Sequence, residues 1–508
     1  MVRTRQLKLR EVTYSSAKDK ESNMLIALTD KDNLYKQLAQ LYDNKTLLEQ
    51  LVAHHLSISP KECKVVGKLL FGSYNICISI SIHGHKRMMM RFPILHRVGE
   101  FFRPGNADEK IRCEAGTYTW LNENCPSVPV PKLYGFALST GQTYTAAENL
   151  PWLPRYFHYI RCRLLNLFGC AAPSKYIRHQ GPCFDVLNAG YLLIEYIDES
   201  RGTMLSYTWE DKKNENNLRH NLFKGLSRIL LDIAKVPVAR IGSFVIDDNG
   251  YLVLNNRPLS IEIQELEGKQ IPVDIPRDIT YSSVDSYITD ILAFHDSRFA
   301  HQPNALKSRT DGHYQAAALA AMRTASSHFF KRELRFGPFV YVLNDLHQSN
   351  ILIDEDWNIT CLIDLEFACS KPIEMLHPPH WFTSRYVNTI EIDHFTVAHQ
   401  EFVALMEQQE EELYADATMS VSSVMKRGLE NRSFWYSLAL TNIAGLEDIF
   451  YEHIGTVFAE DTGDNPYFVK VTHKFWTAGI DEFIAKKLKD KAAYDKRLKE
   501  EFDVDPDT

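Results

Sequence analysis

Cysteine pairs of the Cys-x-x-Cys kind are missing from this sequence; its nine cysteines are scattered and odd in number. This is the usage of a reduced, intracellular chain rather than a disulfide framework or zinc site, and it points to the cytoplasm. No run of about 18 apolar residues occurs, so no membrane-spanning helix is expected. The opening MVRTRQLKLREVTY lacks the apolar core of a signal peptide. Basic charge is not in excess either. Lys and Arg number 57 against 65 Asp and Glu, a net charge of −8, which argues against a nucleic-acid partner because that needs a basic face. Internal repeats and low-complexity tracts are absent. What is present is ordinary for a globular chain, 45% hydrophobic and 24% charged. Its 508 residues exceed a single core, so two lobes or domains are expected.

Residues 1–57 are polar and helix-like and are read as an N-terminal helical extension. In VVGKLLFGSYNICISISIHGHKRMMMRFPI, Ile76, Ile78, Ile80 and Ile82 alternate with Cys77, Ser79 and Ser81, the period of a half-buried strand. HGHK supplies a turn and RMMMRF returns as a second strand. EKIRCEAGTYTWLNEN follows with Ile111, Ala115, Tyr118 and Leu121 on one helical stripe. An insertion is read at about 141–190. Its stretch 149–184 holds Arg155, Arg161, Arg163, Lys175 and Arg178 among many aromatics and contains no Asp or Glu. YLLIEYID at 191–198 is a short buried strand, and helical patterns dominate beyond it. The expected division is a small lobe at 58–198, a large lobe at 199–450 and a C-terminal helical segment at 451–508. A small β-rich lobe, a connecting strand and a larger helical lobe make an α+β architecture.

The densest chemistry lies in YVLNDLHQSNILIDEDWNITCLIDLE. Asn350 follows Asp345 by five positions, and Asp364 follows Asn350 by fourteen. Short strands at VYVL, NILI and ITCLID with turns between them can set Asn350 beside Asp364 and leave Asp345 facing them. Two oxygen ligands near a third carboxylate suit Mg²⁺, with the third carboxylate free to orient a hydroxyl. Phosphoryl transfer needs those parts. Taken singly, each residue is better read as a turn cap; taken together with the features of the N-terminal lobe, they read as a site.

Asp345, Asn350 and the strand-end Asp364 resemble the catalytic and metal-binding segments of the aminoglycoside phosphotransferase and choline kinase group, which shares the protein-kinase-like fold. A closer resemblance is to a large fungal branch of phosphotransferase-family proteins. There the loop typically reads T-D-L-H-Q-S-N and a segment like LIDLEFACSKPIEMLHPPHW follows. RIGSFVIDDNG, RPLS and TYSSVDSYITDILAFHDSRFAHQPNA also look like that branch, and the likeness covers most of residues 60–390. It implies a two-lobed kinase-like fold with a small antiparallel β lobe for the nucleotide and a large, mainly helical catalytic lobe. It implies an ATP- and Mg²⁺-dependent kinase acting on a small-molecule hydroxyl, with Asp345 as catalytic carboxylate and Asn350 and Asp364 holding the metal. Gly72, Ser73, Tyr74 and Asn75 would form the phosphate-covering turn. Arg91 would stand where kinases carry Lys, paired with Glu114, whose place on the buried helix stripe demands a cation. Glu195, Tyr196 and Ile197 would form the adenine hinge, with Glu195 and Ile197 touching the nucleotide.

Two departures stand out. Leu343 occupies the place of the usual loop His, which leaves the loop without that hydrogen-bonding anchor, and Arg91 replaces Lys. With these changes the alternative is a catalytically weak or inactive kinase-like binding or regulatory protein. A protein kinase fits less well, since no Asp-Phe-Gly and no Ala-Pro-Glu segment is present. His347 reads as a turn-packing residue and HPPH (377–380) as a rigid proline turn. Glu407, Glu410, Glu411, Glu412 and Asp416 read as a solvated acidic helix face.

Overall fold

The alternating isoleucines build the strand they predict. Ile76, Ile78, Ile80 and Ile82 are buried along Asn75–Ile82 while Cys77, Ser79 and Ser81 are half-buried. The structure, a computed structural model, describes residues 4–7, 11–84, 86–384, 390–414, 419–463 and 465–503. Asn75–Ile82 pairs on one side with Cys63–Phe71 and on the other with Lys86–Pro93. The sheet continues through Tyr191–Glu195, Leu133–Ala137, Gln142–Ala146 and Tyr176–Gln180, seven strands with every neighbour antiparallel. The stretch read as an insertion therefore contributes the last two strands of this sheet, and a helix, Trp152–Leu167, crosses between them.

The predicted helix forms at Asn106–Asn124 with Ile111, Ala115, Tyr118 and Leu121 all buried. Gly116 lets it lie directly on the Ser243–Ile246 strand, because a Cβ there would stand 2.1 Å from the Phe244 carbonyl oxygen. An apolar cluster runs from this helix through Leu192 to Leu226, Tyr341 and Leu362, so one core joins the β-rich lobe to the helical one. Asn216–Ala234, Val284–His301, Arg309–Phe329 and Ile392–Tyr414 are the long helices of the large lobe. The molecule is thus α+β, a seven-stranded antiparallel sheet joined to a mainly helical lobe. No described helix is long and apolar enough to cross a membrane.

At the N-terminus the expected helices occur at Met24–Asp43 and Lys45–Leu56, preceded by a small two-stranded ribbon that the polar pattern did not reveal. Leu48, Leu51 and Val52 pack into the core of the seven-stranded sheet. The other end of the extension meets the C-terminal Ile480–Glu501 helix, where Tyr494 Oη accepts from the Met24 N–H at 3.0 Å. The acidic helix face also needs revision at one position. Glu410 is buried and accepts from the N–H groups of Val421 and Ser422, capping the Val421–Glu430 helix, while Asp416 lies outside the described residues.

His55 is wholly buried between Thr145 Oγ1 (2.6 Å) and Tyr191 Oη (2.9 Å). Burial, aided by His179 and His54, lowers its pKa to about 3. Its folded pKa lies below its unfolded value of about 6.5, so its contribution is full above that value and is lost as pH falls toward 3. At pH 5 the unfolded chain gains about 2 kcal/mol from protonating this one side chain. The fall in thermal midpoint from pH 7 to pH 5 is thus expected to be smaller in His55→Gln than in the wild type. Equal falls would show that His55 is not the titrating group.

Candidate functional site

Three short strands carry the site. NILI (Ile351–Ile353) pairs with Ile359–Leu362, as a chain reversing at Asp354–Asn358 must. The strand before the loop, Phe339–Val342, pairs with Cys369–Pro372, further along the chain. The intervening loop is consequently held from both sides. The Ile363 N–H donates to the Asn350 carbonyl at 2.9 Å, which sets Asn350 beside Asp364. Asn350 Nδ2 donates to the Asp345 carbonyl at 2.8 Å and to Asp345 Oδ2 at 3.3 Å. Carboxylate oxygens of Asp345, Asp364 and Glu366 lie within 4.8 Å of one another. The three residues singled out in the sequence are brought together, and Glu366 joins them.

The backbone at this point is not relaxed. Asp364 and Phe367 have φ of 60° and 64°, in the left-handed region that a carboxylate side chain tolerates and a phenylalanine does not favour. Such conformations persist only where surroundings enforce them. Asn344 is one of the enforcers: its Nδ2 donates to the Phe367 carbonyl at 2.5 Å. The loop therefore has a hydrogen-bonding anchor in spite of Leu343, one residue later than the usual His. Trp381, directly after the HPPH turn, supplies another, since its Nε1 donates to the Leu346 carbonyl at 2.8 Å. His347 is a turn residue, its Nδ1 accepting from the Ser349 N–H, and its Nε2 is 3.6 Å from Asp345 Oδ1.

Arg91 and Glu114 form the expected pair at 2.6 Å, both buried. The guanidinium reaches further: Nη2 is 2.5 Å from Asp364 Oδ1 and 3.8 Å from Glu366 Oε2. A second cation went unrecognised in the sequence. Lys110, one turn before Glu114, is buried, donates to Asn75 Oδ1 at 2.8 Å, and contacts Glu366 directly. The signal was available, because Lys110 and Glu114 have the i,i+4 spacing of a helical ion pair. Glu366 lies two residues past Asp364 in the loop after the Ile359–Leu362 strand.

Four acids (Asp345, Asp364, Glu366, Glu114) thus face two cations (Arg91, Lys110). Burial and the nearby Asp364 charge push Asp345 up to about 7. Burial and Asp364 likewise raise Glu366, whereas Arg91 and Lys110 hold Asp364 below the usual carboxylate range against the cost of its burial. An excess of closely spaced oxygen donors with too little positive charge is the chemistry of a hard-cation site, and Asp364 with Oδ1 of Asn350 fits Mg²⁺.

The FGSYN turn covers this centre from the small lobe. Its ends are tied by the Gly72 N–H donating to the Asn75 carbonyl at 2.9 Å. Gly72 and Ser73 are exposed, and a Cβ at Gly72 would meet nothing within 4 Å, so an incoming group can approach the backbone there. Tyr74 and Asn75 are placed differently from the expected ring of free donors. The Tyr74 ring packs edge-on against Phe367 at 5.0 Å, and the Asn75 amide donates to Glu366 Oε2 at 2.7 Å. At the connecting strand the Glu195 N–H is taken by the Lys132 carbonyl at 2.8 Å, and its carboxylate by Arg201. The N–H of Ile197 meets no acceptor among the described residues. Beside Asp345 on the large lobe lies a cleft of about 740 Å³, lined by Leu343–Gln348, Lys371, His377–Trp381 and three glutamates, Glu210, Glu262 and Glu265.

Residues 261–375 match the phosphotransferase enzyme family, a stretch that contains Asp345, Asn350, Asp364 and Glu366 and bears out the aminoglycoside phosphotransferase-like resemblance. No curated protein matches the sequence significantly. Among solved structures, similarity is found to a macrolide 2'-phosphotransferase type I, at 13% identity over 86% of this chain and 98% of that one, with a TM-score of 0.36. A macrolide 2'-phosphotransferase of Brachybacterium faecium, solved without ligand, is similar at 11% identity over 85% and 98% of the two chains, with a TM-score of 0.34.

Proposed function

Starting from a chain that carries this segment of the phosphotransferase enzyme family, we propose that it is an ATP- and Mg²⁺-dependent kinase that moves the γ-phosphoryl group to a hydroxyl of a small molecule. The observation that carries the reading is the Asp345–Asn350–Asp364 constellation, with one amide hydrogen-bonded to the base and three carboxylates within 4.8 Å. Asp364 and Asn350 would hold Mg²⁺, which when bound supplies charge neutralisation to the phosphates. Asp345 receives the proton of the acceptor hydroxyl while the hydroxyl oxygen bonds to phosphorus and ADP leaves. Its position in the wall of the 740 Å³ cleft, a volume suited to a small organic acceptor, gives it access to that hydroxyl. Arg91 holds Asp364 in place and offers a planar fork where a lysine would offer a point charge. Lys110 secures the FGSYN turn through Asn75, so the turn over the phosphates is fixed from the helix below. Gly72 and Ser73 would face the phosphates, and Ile197 would offer its N–H to adenine. In this reading residues 58–198 are the nucleotide lobe and 199–450 the catalytic lobe.

The metal assignment has a direct test. A ligand at a hundredfold its dissociation constant stabilises by about 2.7 kcal/mol, which shows as a rise in melting temperature. Mg²⁺-ATP is expected to stabilise the wild type and to lose that effect in Asp364→Ala. Equal shifts in both proteins would refute the assignment.

A further inference from the structure

The Trp152–Leu167 helix is 16 residues long, about 24 Å at 1.5 Å per residue, and not one of its side chains is buried. At about 100° per residue its side chains sort cleanly. His158, Cys162 and Leu165 face the protein and are the half-covered residues of the helix. The opposite third of the circumference carries Leu153, Tyr156, Phe157, Ile160, Leu164 and Leu167, all exposed, and Phe168 continues it. Phe157 is 65% exposed and Leu167 78%, so these are open apolar surfaces rather than covered ones. Nothing among the described residues packs on this face. A helix with its apolar stripe toward water and its mixed side toward its own protein is inverted relative to an ordinary surface helix.

The charges at the margins say what the face fits. Arg163 stands at one edge of the apolar sector and Arg161 at the other, both exposed, with Arg155 further round. No Asp or Glu occurs in residues 149–184. Arg161 is steadied by Tyr251, donating to its Oη at 3.2 Å, and Arg155 lies over the Tyr159 ring. Self-association through this face would bring arginine margins against arginine margins, because a twofold interface meets itself. A sheet of phosphate headgroups over acyl chains satisfies both parts at once: apolar side chains enter the acyl boundary while flanking arginines stay at the phosphates.

We propose that the Trp152–Leu167 helix is a peripheral membrane-docking element that seats the protein on anionic phospholipid surfaces. It lies in the interface and does not cross it, as its length and the absence of any spanning helix among the described residues require. The helix is joined to the edge of the seven-stranded sheet on both sides, so docking fixes the β-rich lobe against the bilayer.

The test is sedimentation of the full-length protein with vesicles of phosphatidylcholine alone and of phosphatidylcholine with phosphatidylserine at a ratio of about three to one. The expected result is binding to the anionic vesicles that weakens as salt rises. Phe157→Glu/Ile160→Glu should weaken it on the order of a hundredfold, by removing the inserted apolar area and adding repelled charge. Arg161→Glu/Arg163→Glu should weaken it at least about tenfold, since each basic side chain near an anionic surface counts for about fivefold. All four side chains are exposed, and unchanged melting temperatures would confirm that the variants fold. Failure of the wild type to bind anionic vesicles overturns the proposal, as does binding that both double variants retain. A dimer in solution that Phe157→Glu/Ile160→Glu dissociates, without vesicle binding, would assign the face to a second copy instead.

Discussion

Replacing Asp345 by Asn is expected to leave Mg²⁺-ATP binding nearly intact and to remove most phosphoryl transfer, by a factor of roughly 10²–10⁴. The substitution keeps size and shape but takes away the group that accepts the hydroxyl proton. The metal ligands proposed here, Asp364 and Asn350 Oδ1, are untouched, and Arg91 still braces Asp364. The Asn350 amide can turn its bond onto the new side-chain oxygen, since it also donates to the backbone carbonyl of the same residue. Binding and chemistry should therefore separate in a way that Asp364→Ala does not allow. The measurement is transfer of labelled γ-phosphate to a library of amino alcohols, sugars and aminocyclitols, with nucleotide affinity followed in parallel. If the wild type binds Mg²⁺-ATP, labels nothing, and hydrolyses ATP slowly at a rate that Asp345→Asn leaves unchanged, the chain is a nucleotide-dependent binding protein and the kinase reading fails.

Local pattern carried most of what the sequence disclosed. The isoleucine alternation, the Ile111–Leu121 stripe and the DLHQSN loop are each written within one element or one turn, where spacing and geometry are nearly the same thing. Asp345, Asn350 and Asp364 were legible because short turns separate them. What stayed hidden depends on distant chain segments. Phe339–Val342 finds its strand partner in Cys369–Pro372, across the whole loop that carries the site. Asn344 substitutes for the missing loop histidine only because Phe367 is brought beside it across 23 residues. Asn75, which seemed a free donor in the FGSYN turn, is tied to Glu366 from 291 residues away. Lys110 is an exception, because its i,i+4 spacing to Glu114 is that of a helical ion pair and is written within one helix.

Arg257, in the RPLS segment, is expected to be among the most destabilising positions in the molecule although it lies outside the proposed active site. It is fully buried and makes paired bonds to two glutamates, reaching Glu109 with Nε and Nη2 at 2.8 Å each and Glu267 with Nη1 and Nη2 at 2.9 Å each. Glu109 opens the Asn106–Asn124 helix and Glu267 closes the Ile261–Gly268 helix, so the guanidinium locks the helix that presents Lys110 and Glu114 to the large lobe. Arg277 and Arg103 also touch these glutamates, but both are about a third exposed and add less. Arg257→Met leaves two buried carboxylates short of their main partner, and breaking a buried pair in this way costs about 3–5 kcal/mol. Arg257→Lys should recover little, since one ammonium cannot span two carboxylates in the fork geometry that guanidinium provides. Thermal denaturation of Arg257→Met, Glu109→Gln and the double variant checks the claim. The double variant should be more stable than the sum of the two single losses predicts, because the second change neutralises a charge that the first one strands. Strictly additive losses would mean that Arg257 acts through packing alone and that the helix holding Lys110 and Glu114 is fixed by other contacts.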